Sequence, residues 1–329
     1  MKVEYNLNRG EGPDAENLLP AYEPSRFFHE RRRQRPPDGI YSMSLRQAWP
    51  AFGRALNAAE LIAKDRPFLT NGDPSWQHDC LDAVEHLLYV MVEYIEDCDV
   101  ILKCCFPSEE KFQQDDHANR FRQTVKPYRS RIAAVVNAIK HNQGRLRLFA
   151  FHGPEFVAPG YFLEGVLPNG AIGPSTIVHG NNASQAFSFA FDLRLHFALI
   201  FLVGRNLARA VEKIFGPPDH QRQPGSSSSY AREFAARLEA FSRTVFPDEI
   251  RQAFPEITLR TSEQVLEVEY PSAIPVVTVP NGLVHHWVAF DVANGTADRF
   301  VPPYADPAQP ISVGLIRSVL DSPGHSGGA

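Results

Sequence analysis

Apolar positions between Ser44 and Phe215 recur mostly at steps of three and four, the spacing that places side chains on one face of a helix. Residues 44–64, "SLRQAWPAFGRALNAAELIAK", carry this period, with Pro50 marking either a break or a first-turn position. A longer helix is predicted from Pro74 and Ser75 to just before Pro107. In it Leu81, Val84, Leu88, Met91, Ile95, Cys98, Leu102 and Cys105 form a heptad stripe, which needs a long helical neighbour to cover it. Two further helices are expected over 108–125 and 127–143, the second with Pro127 in its first turn and Gly144 as its C-cap.

The period then changes from 3.6 to 2. "RLRLFAFHG", residues 145–153, alternates as a strand, and residues 160–180 read as two strands about the turn Pro168-Asn169-Gly170. Helix returns over 181–216, with Asn182 or Ser184 as N-cap and Gly216 as the stop. This segment is apolar almost all round, which predicts the most buried helix. After "PPDHQRQPGSSSS" an amphipathic helix carries Tyr230, Phe234, Leu238, Phe241 and Val245 on one side. From Glu256 the runs "ITLR", "QVLEVEY", "IPVVTV", "LVHHWVAFDV" and "RFVPPY" are short and separated by turn residues, as in a β-rich region.

The expected fold class is therefore α+β: a helical bundle with a β-hairpin insertion, followed by a smaller β-rich C-terminal domain. The expected divisions are an irregular N-terminal arm (1–43), the bundle (44–216) with its insertion near 145–180, a flexible linker (217–229), a helix plus β-rich domain (230–321) and a mobile tail (322–329). In the arm, Arg31, Arg32, Arg33 and Arg35 are either solvated charge, a basic knot docked on acids, or a contact for a phosphate backbone.

Composition narrows the class. A hydrophobic fraction of 43% suits a folded chain with a sizeable core, and "FALIFLVG", the most apolar run, is far too short to span a bilayer. With no secretory signal in the first residues, a cytoplasmic home is expected, and no membrane partner. Cys80, Cys98, Cys104 and Cys105 fall in one predicted helix, which implies core thiols rather than a disulfide framework or metal site. Phosphate-binding loops, dinucleotide fingerprints, HExxH, paired CxxC and GxSxG are all absent, so no cofactor is expected and the common hydrolases and nucleotide motors are disfavoured.

Charge is segregated. The chain is acidic overall, at -5, yet no acid occurs from His117 to Pro154, where Arg120, Arg122, Lys126, Arg129, Arg131, Lys140, Arg145 and Arg147 stand. The preceding helix is the reverse, with Asp79, Asp82, Glu85, Glu93, Glu96, Asp97 and Asp99 before its first lysine, Lys103. Two readings follow: the two helices are neighbours whose charges pair across their flanks, or the basic face meets a polyanion such as RNA or a nucleotide.

On a helical wheel Ser130, Ala134, Asn137 and His141 share one narrow face, so Asn137 and His141 can converge on one group. An imidazole there can move protons near neutral pH, or can simply be a favourable charge at a helix C-terminus. Arg145, Arg147, Lys140 and Arg131 are the candidate anion- or RNA-binding residues around that catalytic pair. Asp192 and His196, one turn apart in the apolar helix beside Arg194, are second candidates: a carboxylate that orients an imidazole behind His141, or a plain buried network.

The segment "YRSRIAAVVNAIKHNQGRLR", entered after a long acidic helix and followed by a buried one, resembles the HEPN superfamily. The resemblance covers roughly residues 44–215 and rests on "NAIKH". Members are helical bundles, many of them ribonucleases of bacterial toxin and antiviral systems, others nucleotide-binding or scaffold domains without activity. The family's catalytic pattern joins an arginine and a histidine on one helix, with four to six residues between them. His141 matches the histidine, but Ala134, Val135 and Val136 stand where the arginine is expected, and Arg131 lies ten residues before His141, about 80° away on the wheel. The resemblance implies an RNA- or nucleotide-binding protein of a bacterial defence or toxin system and, if His141 acts as base, a metal-independent ribonuclease. In that mechanism His141 takes the proton of a ribose 2′-hydroxyl, Asn137 orients it, and Arg145 or Arg147 stabilises the phosphorane. The alternative from another class is a non-catalytic assembly protein that holds a protein partner or a second copy of itself.

Overall fold

The computed structural model describes residues 1–65, 75–142, 144–153, 156–181, 185–271, 285–288, 299–305 and 311–312. The N-terminal stretch, expected to be irregular, is built into the fold. Its β1 (Lys2–Asn6) buries Val3 and Tyr5 on one face, and α1 (Asp14–Leu18) buries Ala15 and Leu18. The alternation of "KVEYN" is a strand period that a five-residue segment states only weakly. The basic knot docks in part: Arg32 donates to the Phe106 carbonyl at 3.2 Å and pairs with Glu109 at 3.4 Å.

Helix α2 (Pro37–Asp65) begins earlier than expected and runs through Pro50, which sits on its exposed side, where the carbonyl left without a donor can be hydrated. Helix α3 (Ser75–Cys104) lies antiparallel to it: Tyr41 bonds Tyr94 at 2.9 Å and Ser44 donates to Asp97 at 2.8 Å near one end, while Ala58 meets Cys80 near the other. The heptad stripe of α3 is thus covered by α2 and by the central helix described below, and all four cysteines are buried and free.

A short α4 (Glu109–Gln114) is capped by Ser108, whose hydroxyl accepts from the Lys111 N–H. The break expected at Pro127 falls instead at Asp115, whose carboxylate accepts from the N–H groups of His117 and Ala118 and starts α5 (Asp116–Asn142). Pro127 is accommodated inside α5 because it faces solvent beside exposed Gln123, the residue whose carbonyl it leaves unbonded.

Strand β2 (Leu146–His152) pairs with β3 (Val157–Val166), which turns at Pro168-Asn169-Gly170 into β4 (Ile172–Pro174). The expected alternation of β2 is replaced by burial on both faces. After α6 (Thr176–Asn181) and β5 (Phe187–Ser188), the central helix α7 (Phe189–Phe215) starts on Ser188, whose hydroxyl accepts from the Phe191 N–H at 3.2 Å, so the N-cap is later than either expected residue. It ends at Gly216, as its sequence indicates, and is the most buried helix. Gly204 lets α7 approach α2 closely, since a Cβ there would collide with the Tyr41 hydroxyl.

Residues 217–227 form no regular element, but their composition does not leave them loose: His220, Gln223 and Ser226 bond to Ala21, Asn17 and Glu16 of the N-terminal stretch. Helix α8 (Ser228–Ala240) packs Phe234 on Trp49 and Phe52 of α2. Strands β6 (Glu256–Arg260) and β7 (Val265–Glu269) add to β1 in the order β1-β7-β6. The remaining strands β8 (His285–Val288), β9 (Arg299–Phe300) and β10 (Ile311–Ser312) join the hairpin in the order β10-β9-β4-β3-β2-β8. "IPVVTV" and the tail 322–329 lie outside the described residues.

The fold is α+β, mostly helical from α1 to α5 and mostly stranded after α8, with a different division from the one expected. A single core joins the bundle, β1, α8, β6 and β7, and the hairpin shares its sheet with C-terminal strands. A smaller cluster of Phe149, Phe151, Phe162, Phe246 and Phe300 lies against that sheet. Among the described residues no helix is long and apolar enough to cross a membrane.

Candidate functional site

Helix α5 packs between α3 and α7 and leaves one face outward. Lys126, Arg129, Asn137, Lys140 and His141 are exposed along it, within about 120° of one another on the helix; Arg120 is exposed on the side toward α7, and Arg145 follows just past the end. Of the acids on α3, only Glu96 reaches across among the described residues, 3.0 Å from Arg129. Asp99 pairs with Lys103 of its own helix and Asp97 accepts from Ser44. No carboxylate lies within pairing distance of Arg120, Lys126 or Lys140 among the described residues, and the Lys140 ammonium rests 4.6 Å from the Tyr89 ring centre. The two helices are neighbours, yet pairing between them leaves most of the basic face uncompensated.

The other expected anion ligands are placed differently. Arg147 is 7% exposed and donates to Glu164 at 2.8 Å, with Arg145 4.0 Å from the same carboxylate. Strand pairing sets this, because β2 and β3 lie side by side and Glu164 is carried in by β3. Arg131 turns inward between the rings of Phe187 and Phe191, 3.4 Å from Asp192, and donates to Gln252 at 3.0 Å. Arg129 and Arg131 are two residues apart, hence about 200° apart on the helix, and meet opposite environments.

Asp192 and His196 form a buried network rather than a support for His141. His196 Nε2 is 3.0 Å from Asp192 Oδ2 and its Nδ1 is 2.8 Å from the Tyr128 hydroxyl, a pattern that fits Nε2–H donating to the carboxylate and Nδ1 accepting from the tyrosine. Tyr161 donates to the same Oδ2 at 2.6 Å. Burial alone would raise the Asp192 carboxyl, but His196, the Arg131 guanidinium and the Tyr161 hydroxyl hold it well below the usual carboxylate range. Burial, and the Asp192 charge after it, push the Tyr128 and Tyr161 hydroxyls well above theirs. The network joins α5 near Tyr128 and Arg131, roughly 15–20 Å along the helix from His141. The two histidines therefore share no cleft.

Close by, Glu249 is buried at 2% exposure and accepts from the N–H groups of Ser188 at 3.0 Å and Phe246 at 2.9 Å. Burial outweighs those bonds and pushes its carboxyl up to about 8. A carboxyl raised in the folded state keeps a proton there that the unfolded chain has released. Its contribution to stability is complete below the ordinary value of 4.5 and is lost as pH rises through about 8. Urea denaturation at pH 5 and pH 8.5 is expected to show a loss on the order of a few kcal/mol, and Glu249→Gln should flatten that slope. Equal slopes in the two proteins would contradict this assignment.

Two cations passed over in the sequence stand apart from that face. Arg209 and Lys213, one turn apart on α7, stand across a recess from Arg120 of α5. Their i, i+4 spacing was visible, but which neighbour they would face was not. Among the described residues no group of His, Cys, Asp and Glu side chains is disposed to hold a metal ion. Comparison of the chain with protein-family models, with curated proteins and with solved structures finds no match.

Proposed function

We propose that this chain is an RNA-binding protein whose contact surface is the outer face of α5, continued by Arg145. The observation that carries the reading is that, among the described residues, Lys126 and Lys140 are exposed without a carboxylate partner, beside an acidic helix that spends only Glu96 on α5. From Lys126 to His141 the face extends roughly 20 Å, longer than one nucleotide and matched to several successive phosphates. This argues for a polymer over a free nucleotide. A HEPN-like bundle in a cytoplasmic bacterial defence or toxin setting is part of the proposal.

Binding is favoured over cleavage. His141 and Asn137 lie on the open face with no carboxylate within pairing distance of the imidazole among the described residues, and Arg147, one of two candidates to stabilise a phosphorane, is engaged by Glu164. In this reading His141 is a contact residue.

The test is fluorescence anisotropy with a labelled single-stranded RNA across a salt series. Three or four phosphate contacts give a slope of log affinity on log salt of about -2 to -3. The triple reversal Lys126→Glu, Lys140→Glu, Arg145→Glu is expected to lower affinity by at least roughly 100-fold and flatten the slope, while His141→Ala leaves RNA intact as the parent does. Binding that ignores salt or survives the triple reversal refutes the surface; cleavage abolished by His141→Ala would restore a catalytic role.

A further inference from the structure

Helices α5 and α7 do not close on each other along their whole length. A groove between them has two parts that share Thr124 and Asn206 as lining residues. The inner part, about 720 Å³, is walled by Val125 and Tyr128 from α5 and by Phe191, Leu195, Leu199 and Leu202 from α7. The outer part, about 420 Å³, is rimmed by His117, Arg120, Arg209 and Lys213. Volumes of this size are those of pockets that enclose small molecules.

Charge and polarity change along the groove. At the inner end Arg131 already faces Asp192 and Gln252, and the Met1 ammonium donates to the Tyr270 carbonyl at 2.7 Å. At the mouth the one carboxylate, Glu212, is taken by Arg222. Arg120, Arg209 and Lys213 have no acidic partner among the described residues; Arg209 has only the Met1 sulfur at 3.4 Å. Two guanidinium forks and an ammonium around one opening suit a doubly charged phosphate better than a carboxylate.

We infer that this groove takes a single-chain amphiphile with a phosphate head. The chain lies against the leucines of α7, and the head sits at the mouth between Arg120, Arg209 and Lys213. Each methylene buried in the inner part is worth roughly fourfold in affinity, so the tail supplies most of the binding and the mouth selects the head. The site stands apart from the RNA surface, because Arg209 and Lys213 belong to α7 and Lys126 and Lys140 do not line the mouth.

The experiment is calorimetric titration of the full chain with dodecyl phosphate below its micelle concentration, beside butyl phosphate and dodecyltrimethylammonium. Dodecyl phosphate is expected to bind at least roughly 100-fold more tightly than butyl phosphate, and the cationic amphiphile not at all. Arg209→Glu with Lys213→Glu, both exposed, should cost at least tenfold, while Lys126→Glu with Lys140→Glu should cost nothing. Leu199→Trp, which fills the inner part, should compete with the tail. If butyl phosphate binds equally well the inner part is unused, and if the cationic amphiphile does, the mouth selects nothing. Either result overturns the inference, as does binding that survives the α7 reversals. The reversals keep the test decisive if Leu199→Trp fails to fold.

Discussion

Asp192→Ala is expected to lower the free energy of unfolding by about 3–5 kcal/mol, the cost of leaving a buried charge without its partner. Three groups lose their acceptor at once: the Arg131 guanidinium, the Tyr161 hydroxyl and His196 Nε2. None can turn to solvent, since His196 and Tyr161 are almost fully buried and Arg131 is held between two rings. Asp192→Asn separates charge from hydrogen bonding, because the amide oxygen can still accept from Tyr161 while Arg131 remains uncompensated. The acid limb offers a second readout. A carboxyl held down in the folded state contributes stability above the ordinary aspartate value of 3.8, and that stability is lost as pH falls below it. Denaturation between pH 5 and pH 2 should therefore be shallower in Asp192→Asn than in the parent. A cost under about 1 kcal/mol for Asp192→Ala would mean the network is not closed as described.

Arg194→Met is expected to be nearly as damaging, at roughly 3–5 kcal/mol, for a different reason. Arg194 is 2% exposed and has no carboxylate partner among the described residues; it donates to the carbonyls of Leu238 at 2.6 Å, Phe241 at 2.9 Å, Ser242 at 3.2 Å and Ala190 at 2.8 Å. Three of these lie at the C-terminal end of α8, where carbonyls have no intrahelical donor and the helix dipole favours a cation. One side chain of the central helix thus caps a second helix and fastens it to the first. Burial, with Arg243 nearby, pushes its guanidinium down to about 10, so it stays charged at neutral pH. Methionine fills the same volume but donates nothing. Arg194→Lys should recover only part of the loss, because an ammonium cannot match the planar fork. Hydrogen exchange over residues 228–241 distinguishes the mechanism: protection should fall there first, and uniform loss across the chain would count against capping.

Much of the bundle was legible because its signals are local. The stripe of α3 and the apolar circumference of α7 state their burial in neighbouring residues, and the Pro-Asn-Gly turn and Gly216 mark ends by their own backbone preferences. Prolines misled where they face water: Pro50 and Pro127 read as boundaries, yet a helix tolerates each when the freed carbonyl is solvated. The N-terminal strand was missed because its partner, β7, lies more than 250 residues away, with Lys2 opposite Glu269. No local pattern encodes such a pairing.

The candidate site divides the same way. The sequence by itself determined that a stretch without acids would carry eight cations, and that Asn137 and His141 would share a helical face, since both follow from residue order and a fixed helical period. Only the tertiary structure decided which cations are free. Arg131 and Arg147 are consumed by Asp192 and Glu164, which α7 and β3 bring to them, whereas Arg120, Lys126 and Lys140 keep their charge exposed. The structure also set Arg209 and Lys213 across a recess from Arg120. Charge is a property of the residue, but whether it is spent depends on what the fold packs within about 4 Å of it.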